Sequence, residues 1–190
     1  MAMTVTKRKD SNLPRVFVHK VADVRGGVSV AIADLNVDFL SEGRVVSAPV
    51  SGVSHVVKYA KVQANATDTA VKIKVYKGHD FKVDDVICAA ENGAAYAITA
   101  IATSNAAYDE ITIGTTLGVA LSKDTSFIYH AAESGASGAA LKYEPLALVG
   151  TGKPVVSGHN IDTDAWVIGV TKGNALPSLI ASKLKGIINY

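Results

Sequence analysis

Val71-Lys72-Ile73-Lys74-Val75-Tyr76-Lys77-Gly78-His79-Asp80 decides the fold. Val71, Ile73 and Val75 alternate with Lys72 and Lys74, the period of a strand with one face buried and one in water. Gly78-His79-Asp80 turns the chain, and Phe81 to Cys88 opens a second extended run. Asn92-Gly93 follows, two residues that accept the positive φ of a type I′ hairpin, and Ala94 to Ile101 leads back. After the polar loop Thr103-Ser104-Asn105 come Glu110-Ile111-Thr112-Ile113, a turn flanked by Gly114 and Gly118, and the strand-like Phe127-Ile128-Tyr129-His130. Residues 71–129 read as a β-meander on which the rest of the chain is built.

On the N-terminal side, Val45-Val46-Ser47-Ala48-Pro49-Val50 is broken by Pro49, which places it at a sheet edge or a crossing. Val53 to Val62 is a further extended run. Before them, Val16-Phe17-Val18, then Val28, Val30 and Ile32, then Leu35, Val37 and Phe39 form short apolar runs interrupted by Arg25-Gly26-Gly27. Residues 14–45 are too broken to bury a core alone, so they are expected against the main domain or a neighbouring subunit. On the C-terminal side, Glu133 to Ala139 is small and flexible in composition, a loop or short linker. Leu141–Val149 and Asp164–Val170 are strand-like, and the second carries the only Trp, Trp166. Pro177 suits a first helical position, with Leu179, Ile180, Leu184, Ile187 and Ile188 near one face and Lys183 and Lys185 near the end; the pattern predicts a helix of about three turns.

The expected fold is mainly β: an antiparallel β-barrel or sandwich of short strands, with an extended N-terminal segment and a short C-terminal helix. Residues 1–12 read as a mobile basic terminus and residues 13–50 as an extended segment that packs in an oligomer. Residues 51–190 read as the barrel or sandwich domain with its helix.

The chain is 48% hydrophobic but only 19% charged, below the usual quarter. So few charges suit a surface partly covered by other subunits. Net charge is +2, spread as +4 over residues 1–20, −5 over 21–169 and +3 over the last 21. The basic start has no aromatic interleaving to stack bases, so a solvated terminus is expected there and no nucleic-acid partner. No apolar run is long enough for a membrane helix, so no membrane partner is expected. The start lacks a signal-peptide core, which points to synthesis in a cytoplasm. Cys88, the single cysteine, excludes an internal disulfide; among Val86, Ile87 and Ala89 it is expected to be buried, as is Trp166 in its Val/Ile run.

Little in the chain points to chemistry. His19, His55, His79, His130 and His159 show no i,i+4 pair and no cysteine spacing for zinc. Asp80, Asp84 and Asp85 lack the ligand spacing of a calcium loop and read as a solvated acidic turn, as do Asp162 and Asp164. Gly150-Thr151-Gly152-Lys153 is not a phosphate loop, because Pro154 follows where a helix should open. Ser134 to Gly138 has no nucleophile elbow. The expectation is a protein that is not an enzyme, with no catalytic residue, no metal site and no cofactor. A carbohydrate-binding or adhesin-like β module, with Trp166 and tyrosines stacking on sugars, is the alternative. A capsule-directed hydrolase is the remaining rival and requires clustered carboxylates.

Lys77-Gly78-His79-Asp80-Phe81-Lys82-Val83, Ile98-Thr99-Ala100-Ile101, and Tyr108-Asp109 followed by Ile111-Thr112-Ile113 and Thr116-Leu117-Gly118 resemble the head-fibre (capsid decoration) proteins of tailed bacteriophages. Weaker similarity runs from about Val45 to the C-terminal helix. Asp84 departs from the pattern, standing where a glycine is expected. The resemblance implies a structural protein of a phage or prophage, made in the host bacterial cytoplasm and displayed on the virion surface. It implies a homotrimer bound to the phage major capsid protein, and it allows host-surface glycans as a further partner.

Overall fold

A computed structural model describes residues 15–174 and 176–190; the terminus 1–12, expected to be mobile, lies outside them. The first strands are β1 (Phe17–Asp23), β2 (Val28–Val30), β3 (Phe39–Leu40), β4 (Val45–Ser47) and β5 (Tyr59–Lys61). Next come β6 (Lys72–Tyr76), β7 (Val86–Cys88), β8 (Ala95–Ala102), β9 (Tyr108–Ile113) and β10 (Phe127–His130). The chain closes with β11 (Pro145–Val149), β12 (Lys153–Pro154), β13 (Ile161–Thr163), β14 (Ala165–Thr171), helix α1 (Ser178–Lys183) and β15 (Ile187–Asn189). The mainly β, antiparallel fold read from the sequence is the fold observed.

The central strands form a six-stranded sheet in the order β5-β10-β7-β8-β9-β6. β7, β8 and β9 are the expected meander, and β6 joins it beside β9 in full register, from Lys72↔Thr112 to Tyr76↔Tyr108. Alternation sorts the side chains: Ile73, Val75, Ile111 and Ile113 point into a core with Phe81, Ile87, Ile98 and Ile128. Lys72 and Lys74 face water on the other side, and Lys72 pairs with Glu110 at 3.0 Å. The sheet rolls until its end strands meet through one bridge, Val62↔Val75, with Gln63 N–H donating to Lys74 O at 2.8 Å. A single bridge does not continue the ladder, so the barrel stops short of closure.

Two turns differ from expectation. Asn92 alone is left-handed (φ 63°), and the β7–β8 connection spans six residues instead of two. Its backbone is tied elsewhere: Asn92 N–H donates to Ala139 O at 2.7 Å and Gly138 N–H to Asn92 O at 3.0 Å, so the 135–139 loop holds it open. Asp84 takes φ 72° in the turn closed by Asp85 N–H to Lys82 O at 3.2 Å. The position therefore demands the conformation that favours glycine, and an Asp tolerates it better than most residues.

The outer strands are nested. β1 pairs β14, β2 pairs β13, β3 pairs β12 and β4 pairs β11, all antiparallel, with residues 58–130 inserted between the two halves. Residues 15–50 run as the short strands β1 to β4 with a 3-10 turn at Ile32–Asp34, and each strand pairs with one from the chain's own C-terminal half. The larger sheet runs β1-β14-β11-β4, and β15 adds to β14 in parallel. Consecutive apolar residues on β4 and β11 point to opposite sides, so this end of the sheet is buried on both faces. Val45 and Leu148 pack towards Cys88, Ala95 and Tyr129 on the outside of the rolled sheet, with Ile180 and Leu184 closing the groove. Val46, Ala147 and Val149 pack on the other side against Val28, Val30, Leu40 and Ile161.

The helix is shorter than expected. It covers only Ser178–Lys183, Pro177 occupies its N-cap, and Ile187–Ile188 form a strand, with Val170↔Ile188 in register. Leu184 leaves helical geometry at φ −91°, ψ 62°. At Gly186 a Cβ would stand 2.3 Å from Val167 O, so only glycine lets the chain come close enough to β14 to pair.

Candidate functional site

Two features stand out, an outer apolar face and a sealed polar seam. The face belongs to β14 and its two neighbours. The register sets His19 and Ile188 beside Val170 and Ala22 beside Ile168, on one side of the sheet. Ile168 is 45% exposed, Ile188 65% and Tyr190 64%, so apolar area of useful size stays in water. Val18 and Val21 on β1 are exposed as well. Among the described residues β1 pairs only with β14, which leaves its other edge without a strand neighbour. Such an edge beside exposed aliphatic side chains is a natural place for another chain to add.

Trp166 sits at the rim of this face and is half-buried, not core as the sequence suggested. Its Nε1–H donates to Asp164 Oδ2 at 2.7 Å, Lys20 Nζ stands 5.3 Å from its ring centre and Phe17 lies 6.5 Å away. These contacts occupy the indole that a sugar would need. A polar cleft of about 320 Å³ adjoins it, lined by Arg15, Phe17, Lys20, Glu42, Gly150, Thr151 and Gly152. In place of a phosphate loop, Lys153–Pro154 forms β12, and Gly150 O accepts Lys20 Nζ at 2.8 Å. Asp162 is exposed, while Asp164 serves Trp166 and Lys20, so they do not converge on a cation. Glu133–Ala139 is a surface loop tied back by the Ala95↔Gly135 bridge.

The seam lies at one end of the rolled sheet. Asp80 is almost fully buried; it faces Arg44 Nη1 at 2.9 Å and accepts Asn36 N–H at 3.2 Å. Lys77 Nζ reaches Asp109 at 2.6 Å. His79 accepts Phe81 N–H on Nδ1 at 3.2 Å and turns Nε2 to Asp109 at 3.3 Å, off the hydrogen-bonding direction. Asp85 takes Lys58 Nζ at 2.7 Å and faces His130 Nε2 at 3.3 Å. Asp34 holds His55 at 2.7 Å, and that ring stacks on Tyr143 at 4.1 Å. Asp84, by contrast, points to solvent.

Burial lowers the pKa of His79, against the opposing pull of Asp109 and Asp80. Burial also pulls His130 down to about 4, with Lys142 and Lys58 adding to the effect and Asp85 opposing it. Cys88 is fully buried, as expected, and burial pushes its thiol up to about 11. Three of the five histidines thus share a seam that sequence spacing left scattered; His19 and His159 are exposed. Sheet topology, which brings residues 34, 55, 79, 109 and 130 together, leaves no local pattern to read. Among the described residues no three His, Cys, Asp or Glu side chains are grouped to hold a metal, and no helix is long and apolar enough to cross a membrane.

Comparisons with protein-family profiles, curated proteins and solved structures found no match.

Proposed function

We propose that this chain is a structural virion protein, a head fibre that stands as a homotrimer on the capsid of a tailed phage and carries no enzymatic activity. The observation that carries the reading is the exposed face of Ile168, Ile188 and Tyr190 beside the edge of β1 that has no strand neighbour among the described residues. A protein built to assemble needs such a surface, whereas an enzyme needs an open cleft with convergent polar groups. The seam, where the charged groups do converge, is closed to substrate: Lys58 and His130 are only 3% and 4% exposed. The resemblance of Lys77–Val83 and Tyr108–Gly118 to head fibres names the assembly and its partner, the major capsid protein. It also supplies the number three, the virion-surface location and the host cytoplasm as the place of synthesis.

Light scattering after size exclusion tests the oligomer, and co-sedimentation with capsids tests the partner. Ile188→Lys, which leaves the core untouched, should dissociate the oligomer. A wild-type monomer of 19.7 kDa at every concentration would refute the assembly reading. A stable dimer would refute the trimer alone. Binding on a glycan array that is lost in Trp166→Ala would favour the carbohydrate-binding alternative, against which the covered indole argues.

A further inference from the structure

Three neighbouring strands bring Lys58, Asp85 and His130 to one point. Lys58 stands directly before β5 and opposite His130 of β10, whose N–H donates to Lys58 O at 3.1 Å. β10 in turn pairs β7, which Asp85 precedes. Lys58 Nζ lies 2.7 Å from Asp85 Oδ2, and His130 Nε2 lies 3.3 Å from Oδ1. The Lys82 N–H donates to Oδ2 at 2.8 Å, so Oδ2 takes two donors while Oδ1 faces the imidazole, and the carboxylate is held in place. With the side chains of Lys58 and Asp85 only 3% and 13% exposed, the pair has lost most of its hydration, and mutual attraction recovers only part of that loss. Condensation would remove both charges at once.

We propose that Lys58 and Asp85 are joined by an isopeptide bond that forms unaided in the folded chain, with His130 relaying the protons. Lys58 Nζ attacks Asp85 Cγ. The N–C bond forms, the bond from Cγ to Oδ1 breaks, and two of the three ammonium protons leave with Oδ1 as one water. His130 Nε2 faces the departing oxygen and passes these protons on, ending neutral as it began. Lys82 N–H remains on Oδ2 and stabilises the charge that gathers there while Cγ is tetrahedral. The reaction needs no oxidant, reductant or co-reactant.

Proximity supplies what a free amine and acid lack in water, because the reacting groups are already in contact and oriented. Burial holds the imidazole neutral at ordinary pH, assisted by Lys142 Nζ 3.5 Å from Nε2 and by Lys58, against the opposing pull of Asp85. A neutral ring has a lone pair to lend. Lys77 and Asp109 approach equally closely, at 2.6 Å, but the Lys77 side chain is 37% exposed and also bonds to Thr103 O. That pair stays hydrated and serves as an internal control.

The test is the intact mass of the full-length protein, purified folded and then denatured. The wild-type chain should be lighter by one water. Fragmentation of a digest should show a branched peptide joining residues 58 and 85, with trypsin failing to cut after Lys58. Lys58→Arg and Asp85→Ala should each restore the full mass. His130→Gln, checked for folding by circular dichroism, should show mostly unlinked chain that converts slowly. A folded wild-type chain of full mass, or one whose water is lost at Lys77–Asp109 or elsewhere, overturns the bond. A His130→Gln chain linked as fast as wild type overturns the relay.

Discussion

Acidification probes the sealed seam directly. His130 in the folded protein has its pKa drawn from 6.5 down to about 4, chiefly by burial. In the unfolded chain the ring is hydrated and titrates near its ordinary value. Between those two pH values the unfolded state binds a proton that the folded state refuses. Stability is therefore complete above about pH 6.5 and falls as the pH drops towards 4. A displacement of that size is worth about 3 kcal/mol, with His79, lowered for the same reason, acting in the same direction. This is a large part of the total for an ordinary domain. Urea unfolding followed by Trp166 fluorescence, from about pH 7 to about pH 4.5, reads the loss. His130→Gln removes the titrating ring and should flatten the profile. Loss of the Asp85 charge to a covalent bond would leave the direction unchanged, since burial leads. A wild-type midpoint that is constant over this range, or a His130→Gln profile as steep as wild type, would refute the account.

Other outcomes follow from particular positions. Asp84→Gly should raise stability by about 0.5 kcal/mol, because it relieves a left-handed residue at the cost of some chain entropy, whereas Asp84→Val should lower it by about 1–2 kcal/mol. Denaturant midpoints at unchanged m-value check both. Gly186→Ala should push β15 off β14, since its Cβ meets Val167 O; limited proteolysis should then release the C-terminal residues from an otherwise folded chain. Phe81→Ala, at a fully buried side chain between the rings of His79 and His130, should cost about 3–5 kcal/mol, measured by thermal or urea unfolding.

The strands were legible where alternation was strong. Val71–Tyr76, Glu110–Ile113 and Phe127–His130 carry their own period, and each emerges as a strand close to its expected bounds. Residues 184–188 misled because Leu184, Ile187 and Ile188 satisfy a helical face and a strand equally well. The deciding fact is the space at Gly186, which is tertiary. Asn92-Gly93 misled in the same way, since hydrogen bonds from a distant loop overrode the local preference for a tight hairpin. Trp166 lay in an apolar run, but the run belongs to a strand whose outer face is partly bare. The polar seam was not legible at all: the residues that build it come from widely separated stretches, and each alone looks like ordinary turn or surface chemistry.

The nesting of early strands with late ones bears on the order in which the molecule can be made. As the chain leaves the ribosome, β1 to β4 emerge before residues 58–130, yet their partners β11 to β14 emerge only after them. Residues 58–130 can roll up as soon as they appear, because the strands of the six-stranded sheet and the core inside it all come from that stretch. Val28, Val30, Leu40, Val45 and Val46 must meanwhile wait in water, and closing so long a loop carries an entropic cost until the C-terminal half arrives. A nascent chain stalled before about residue 160 would present those side chains to chaperones or to its neighbours. Completion of the outer layer thus waits for the C-terminal strands, and the exposed apolar face on β14, β1 and β15 does not exist until they have paired.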